Sequence, residues 1–282
     1  MFSDILLTVD FDRTLTDYES RIPQRNLEAI EYFVANGGKF TVNTGRSTAT
    51  FWQYLDTLPV NAPFLLYNGS AAWEKGKLLQ QRLIDLDVWQ TMDKVVELFP
   101  DMTLEIQGEK VHYLIHDAGG MEALYENLQW RWEHASHGQD VGPFLKFALF
   151  GPARNPVVAD MYDASEAELR RFDEAEQILK ELYGDKAVIF RAAPRIIDIH
   201  AKGVSKLAAA RDLQKALGRK ILVCVGDSHN DIPMLDGADY AFIPADAVLE
   251  GSYEKVCNCG DGAVADVIYK KIPEILAKNL DI

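Results

Sequence analysis

Two five-residue apolar runs, Ile5–Val9 and Ile221–Val225, lie near opposite ends of the chain, and each stops abruptly at a cluster of acids. The first runs into Asp10-Phe11-Asp12-Arg13-Thr14, the second into Gly226-Asp227-Ser228-His229-Asn230-Asp231. A short, continuously apolar run is the pattern of a strand buried on both faces, as in a parallel sheet. Ligands of open α/β sheets gather beyond the carboxyl ends of such strands. Both acid clusters therefore stand where a sheet of this kind does its chemistry.

The segments next to these runs read the same way. Leu27, Ile30, Phe33 and Val34 recur at helical spacing between Pro23 and Ala35, and Asn36-Gly37-Gly38 supplies helix-ending residues before a strand at Phe40-Thr41-Val42. A helix over Ala49 to Leu58 and a strand at Phe64 to Tyr67 follow. Towards the other end, an amphipathic helix over Ser205 to Ala216 precedes the strand Ile221–Val225, and a helix over Asp231 to Gly237 precedes a strand at Tyr240 to Ile243. Strands alternating with helices predict an α/β fold with a parallel sheet.

The intervening stretch has another character. Helices are expected over Val88 to Leu98 and Ala164 to Leu182, interleaved with strands near Thr103 to Gln107, Val111 to Ile115 and Phe144 to Phe150. With 282 residues, 48% of them hydrophobic, the chain is long enough for two domains. The expected division is a Rossmann-like core formed by 1–80 and 195–282, with an inserted α+β domain over 81–194. Asn68-Gly69 and Ala193-Pro194 are turn signals near these divisions without being long linkers, so the boundaries are set only to within several residues.

A formal net charge of -14 argues against a broad surface for nucleic-acid phosphates or an anionic membrane. No signal-peptide pattern opens the sequence, and no apolar run approaches the roughly 18 residues of a membrane span. Cys224, Cys257 and Cys259 form neither a CxxC pair nor a disulfide framework. A cytoplasmic protein with no nucleic-acid or membrane partner is the expectation.

Two carboxylates two residues apart can divide phosphoryl transfer between them. One attacks phosphorus, while the other gives a proton to the leaving oxygen and later takes one from water. Asp10 and Asp12 have that spacing, although paired acids also mark exposed turns. Asp227, at the second strand end, can share a cation with Asp10. Mg2+ suits the pair because it takes oxygen ligands and screens carboxylate from phosphate. Acids from Asp227 to Asp231 are equally at home at a helix N-terminus. In Thr41-Val42-Asn43-Thr44-Gly45-Arg46-Ser47, the Thr44 hydroxyl and nearby N–H groups can hold phosphate oxygens, with Gly45 permitting close approach; a helix cap uses the same groups. Lys206, opening a helix, can offset charge on a transferring phosphoryl group. Of the six histidines, His229 alone adjoins the acids, and a solvent-facing loop position is expected for it. Trp89, Trp130 and Trp132 are read as packing residues.

Taken in order, Asp10-Phe11-Asp12-Arg13-Thr14, Thr44-Gly45-Arg46, Lys206 and Gly226-Asp227-Ser228-His229-Asn230-Asp231 resemble the four motifs of the haloacid dehalogenase superfamily. The placement of the insert resembles its Cof-like sugar-phosphatase branch, and Asp261-Gly262-Ala263-Val264-Ala265 is similar to that branch's closing segment. The resemblance covers nearly the whole chain and implies a cap domain in the insert. It implies Asp10 as nucleophile and metal ligand, Asp12 as acid/base and carbonyl ligand, and Asp227 as the other carboxylate ligand. Asn230 and Asp231 then support the site, Thr44, Gly45 and Lys206 meet the phosphoryl group, Lys206 positions Asp10, and Arg46 assists substrate binding. Arg13 departs from the branch, where glycine commonly follows the second aspartate.

The implied activity is Mg2+-dependent hydrolysis of a small phosphorylated metabolite, with sugar phosphates foremost, through an aspartyl-phosphate. Asp12 argues against dehalogenation, since dehalogenases lack the second aspartate. A phosphomutase of the phosphomannomutase type and a non-catalytic binding module are the alternatives.

Overall fold

A computed structural model describes residues 1–155, 163–249 and 251–280. The chain forms two compact units: Met1–Gly45, Tyr54–Gln80 and the chain from Ser205 onward in the first, Arg46–Gln53 and Gln81–Val204 in the second. No helix among the described residues is long and apolar enough to cross a membrane.

The first unit is built on a five-stranded parallel sheet in the order Glu254–Lys255, Tyr240–Ile243, Ile221–Val225, Ile5–Val9, Lys39–Val42. Ile5–Val9 is central, pairing with Ile221–Val225 on one side and Lys39–Val42 on the other, and all five of its residues are buried. That two-sided burial is why the run is apolar without alternation. Leu6, Leu222 and Cys224 pack with Ala209, Ala210 and Leu213 of the helix Lys206–Ala216 in one apolar cluster. This helix begins where it does because Ser205 accepts a hydrogen bond from the N–H of Ala208 at 3.0 Å. A bridge between Asn43 and Leu65 carries the parallel pairing on to the strand Phe64–Leu66.

Two departures from the sequence reading lie in this region. The helix expected over 49–58 ends at Phe51 and passes into a tighter turn over Trp52–Tyr54. Strands Ala71–Glu74 and Lys77–Gln81 extend a separate three-stranded sheet from Phe64–Leu66. Lys75 and Gly76 join them, both with positive φ (50° and 86°), the two-residue turn that matches strand twist in a hairpin.

The second unit holds a six-stranded sheet in the order Ala187–Ala193, Ile196–Ala201, Lys146–Phe150, Thr103–Gln107, His112–His116, Trp132–His134. Its pairs are antiparallel apart from the last, which is parallel. Leu104, Ile106, Phe147, Leu149, Ile197 and Ile199 share one apolar cluster with side chains of the helices Val88–Leu98 and Glu166–Tyr183. Strand alternation puts Glu105, Gln107, His112, Lys146 and Asp198 on the opposite face, where they are buried. Ser165 and Glu168 form a capping box that starts Glu166–Tyr183. The turn read at Ala193-Pro194 joins two strands of this one sheet, and the second unit accordingly continues to Val204.

Candidate active site

Asp10 leaves the central strand, its N–H donating to the Val225 carbonyl at 2.9 Å. On one side the N–H of Asn43 donates to Val9 at 2.8 Å. On the other, Gly226 and Asp227 follow Val225 directly. Parallel register thus sets the first and last motifs next to each other at the sheet's carboxyl edge.

Lys206 is the centre of the cluster. Its Nζ donates to Asp10 Oδ1 at 2.5 Å and to Asp231 Oδ1 at 2.7 Å, and all three residues are buried. Asn43 Nδ2 donates to the Lys206 carbonyl at 2.9 Å, fixing the start of the helix that carries the lysine. Asp231 Oδ2 accepts from the N–H groups of Asp227 at 3.1 Å and Ser228 at 3.2 Å. The Thr14 hydroxyl donates to Asp227 Oδ1 at 3.3 Å. Neither Asn43 nor Thr14 received a role from the sequence; each acts through a hydrogen bond that only the paired strand ends create.

Asp10, Asp227 and Asp231 each bring a carboxylate oxygen within 4.8 Å of the others, an all-oxygen set able to hold a divalent cation. Asp231 is already engaged through both oxygens, by Lys206 on one and two backbone N–H groups on the other. Asp10 and Asp227 are the carboxylates left to face an ion. Burial pushes Asp10 well above the usual carboxylate range, and the charge of Lys206 only partly opposes burial and the neighbouring acids Asp231, Asp227 and Asp12. Asp227 is pushed up to about 7 by burial and Asp231, against Lys206 and the Thr14 hydroxyl. Such repulsion is what a bound divalent cation relieves. Lys206 itself is shifted upward: burial works against its charge, and Asp10 and Asp231 more than compensate.

The remaining sequence candidates are placed as follows. Asp12 is half-buried two residues beyond Asp10, at an extended position within the turn Phe11–Leu15, and its charge acts on both Asp10 and Asp227. Thr44 is buried, its N–H donating to Leu65 and its carbonyl accepting from the N–H of Asn68, each at 2.9 Å. Gly45 lies against Asn68, whose Oδ1 is 2.9 Å from where a Cβ would stand. Arg46 belongs to the segment that groups with the second unit. Asn230 accepts from the Ser228 hydroxyl at 2.7 Å, and His229 is exposed, as the loop reading expected. Arg13 has φ 57°, a left-handed conformation that explains why glycine is ordinary at this position, and its guanidinium lies 5.1 Å from the ring centroid of Tyr18.

Residues 7–250 match the family model of the haloacid dehalogenase-like hydrolases. The chain belongs to that family. Within it, two Bacillus subtilis relatives are 5-amino-6-(5-phospho-D-ribitylamino)uracil phosphatases. YcsE is 24% identical over 241 residues, 83% of this chain and 80% of the relative, and YwtE is 24% identical over 258 residues, 86% and 88%. The fold is shared with a haloacid dehalogenase-like hydrolase from Bacteroides thetaiotaomicron (TM-score 0.77, 17% identity, 94% of this chain and 98% of that one). It is shared too with the HAD subclass IIB sugar phosphatase BT4131 (TM-score 0.73, 19% identity, 96% and 98%).

A close approach supports the cluster. A Cβ on Gly226 would stand 2.6 Å from Cβ and Cγ of Asp231, a side chain held at both ends. Gly226→Ala is expected to cost about 1 to 3 kcal/mol of stability, as overpacking does. Urea unfolding measures it, and an unchanged midpoint would mean that Asp231 yields freely.

Proposed function

We propose that this haloacid dehalogenase-like hydrolase is a magnesium-dependent phosphatase of small phosphate monoesters, sugar phosphates foremost, working through an aspartyl-phosphate on Asp10. The observation that carries the reading is the buried Asp10 carboxylate, held by Lys206 at 2.5 Å and grouped with Asp227 and Asp231. The two Bacillus phosphatases add a phosphorylated ribityl compound to the candidate substrates. Neither the phosphomutase nor the binding-module alternative draws support from these relatives.

Asp10 and Asp227, with the backbone carbonyl of Asp12, would hold the magnesium ion. When bound, magnesium supplies positive charge that screens the nucleophilic carboxylate from the phosphate. Lys206 fixes the direction of the Asp10 carboxylate and offsets charge developing on the phosphoryl oxygens. The Thr44 hydroxyl holds one of those oxygens. As Asp10 forms its bond to phosphorus, the ester P–O bond breaks and protonated Asp12 gives its proton to the departing oxygen. Asp12, now a carboxylate, takes a proton from water, whose oxygen attacks phosphorus. The acyl phosphate P–O bond breaks, phosphate leaves, and Asp10 is regenerated.

The test is phosphate release from sugar phosphates, nucleotides, an aryl phosphate and 5-amino-6-(5-phospho-D-ribitylamino)uracil, with and without magnesium. Release that requires magnesium supports the reading, and no release from any ester overturns it. In the same assay, Asp12→Asn is expected to slow turnover by about 100-fold or more while leaving substrate binding largely intact. A rate equal to wild type would remove Asp12 from proton transfer.

A further inference from the structure

The turn that carries Asp12 is closed by a side chain to which the proposed chemistry gives no part. Thr16 is buried, and its hydroxyl spans the turn Phe11–Leu15: Oγ1 donates to the Phe11 carbonyl at 3.2 Å and accepts from the Arg13 N–H at 3.1 Å. The Thr16 N–H donates to the same Phe11 carbonyl at 3.0 Å. The Phe11 carbonyl belongs to the peptide that enters Asp12, and the Arg13 N–H to the peptide that leaves it. One hydroxyl therefore holds both peptide groups of Asp12.

The backbone here needs such a tie. Asp12 (φ -73°, ψ 126°) and Arg13 (φ 57°, ψ 13°) leave the helical region, and the second is a left-handed conformation that residues other than glycine take only where surrounding contacts hold them. In a trans peptide the N–H and the C=O point opposite ways. Holding the Arg13 N–H towards Thr16 thus turns the Asp12 carbonyl away from it. The anchor is itself secured within the first unit. Leu15, next to Thr16, gives its carbonyl to Asn26 Nδ2 at 3.0 Å, and Asn26 Oδ1 accepts from the Ala265 N–H at 2.9 Å. Asn26 lies fully buried in the helix Gln24–Ala35.

We infer that Thr16 is a positioning residue for Asp12: its hydroxyl sets the direction of the Asp12 carbonyl towards magnesium and the base from which the Asp12 carboxyl reaches the leaving oxygen. The inference rests on the phosphatase reading above, in which Asp12 has both tasks. A hydroxyl that closes a turn often serves stability alone. This one closes the turn at the two peptides whose orientation the chemistry uses.

Thr16→Val keeps the shape and removes the hydroxyl, while Thr16→Ser keeps the hydroxyl. Three quantities are read together: the thermal midpoint, magnesium affinity from calorimetric titration of the substrate-free protein, and kcat at saturating magnesium on a sugar phosphate and on a nitrophenyl phosphate, whose phenolate departs with little help from an acid. Thr16→Val is expected to weaken magnesium binding by about 10-fold or more, as loss of a partner that orients a metal ligand does. It should lower kcat by about 10-fold or more on the sugar phosphate, through the misplaced acid, and by no more than about threefold on the nitrophenyl ester. Thr16→Ser should stay within about threefold of wild type in affinity and in both rates, because the orienting hydroxyl is kept. Thr16→Ala, which also lacks the hydroxyl, answers the same question if Thr16→Val does not fold.

Equal rate losses on the two esters with magnesium affinity intact, a Thr16→Ser as impaired as Thr16→Val, or a loss of midpoint alone would each overturn the positioning role. Wild-type protein without magnesium-dependent release from any ester would overturn the phosphatase reading and this inference with it. Active wild type with Thr16→Val unchanged in affinity and rates would overturn this inference alone.

Discussion

Asp10→Asn is expected to lower magnesium-dependent phosphate release by at least about 1,000-fold, which is about 4 kcal/mol of barrier. The amide is nearly isosteric, so the loss is chemical. It removes the proposed nucleophile and one of the two carboxylates proposed to hold magnesium. Folding should survive, because Lys206 keeps Asp231 at 2.7 Å and the removed charge was one that burial, Asp231 and Asp227 all opposed. The measurement is therefore paired: turnover should collapse while the thermal midpoint stays near that of wild type. A variant that is folded and retains a tenth or more of the wild-type rate would sink the assignment of Asp10 as nucleophile.

Much of what places Asp10 was legible because it rests on continuous burial. The strands Ile5–Val9, Ile221–Val225 and Tyr240–Ile243 fall where their apolar runs stand, and the helix Val88–Leu98 where its periodicity does. In these segments local pattern and tertiary environment agree. Reading failed where local signals served two purposes. Ala193-Pro194 is a turn, as its residues say, but a turn between two strands of one sheet, and no local signal separates that from a boundary. The helix after Ser47 stops at Phe51 although the residues beyond it are compatible with helix, and the chain there takes a tighter turn in which Trp52 meets Arg131 and Tyr54 meets Phe11, partners far away in sequence.

The candidate site shows the same division. Asp10, Lys206, Asp227 and Asp231 were readable as motif positions, and the parallel register brings them together. Two of the hydrogen bonds that hold them were not. Thr14 meets Asp227 across 213 residues of sequence and Asn43 meets Lys206 across 163, separations that no spacing rule reports. The same holds for Ser47, His112 and Glu105, which lie on a helix N-cap and two strands. Nothing in the sequence around His112 signals that Ser47 and Glu105 will approach its two ring nitrogens.

Lys206→Met is expected to damage activity and folding together, in contrast to Asp10→Asn. The thioether fills much of the lysine's space but leaves Asp10 and Asp231 buried without their shared cation, and breaking a buried ion pair from one side costs about 3 to 5 kcal/mol. Turnover should fall by about 1,000-fold or more, because the Asp10 carboxylate loses its orienting donor and the phosphoryl oxygens a positive charge. The sign of the pH effect follows from the acids. Asp10 and Asp227 are already raised in the folded state, and loss of Lys206 raises Asp10 further. A raised folded-state carboxyl binds more protons than its unfolded counterpart from about pH 4 up to its folded pKa, so it contributes stability at low pH that is lost as pH rises through that range. In metal-free buffer the midpoint deficit of the variant should therefore be smaller at pH 5 than at pH 8. A deficit that is equal at both pH values would mean that Lys206 acts by packing, and that its ion pairs with Asp10 and Asp231 contribute no net stability.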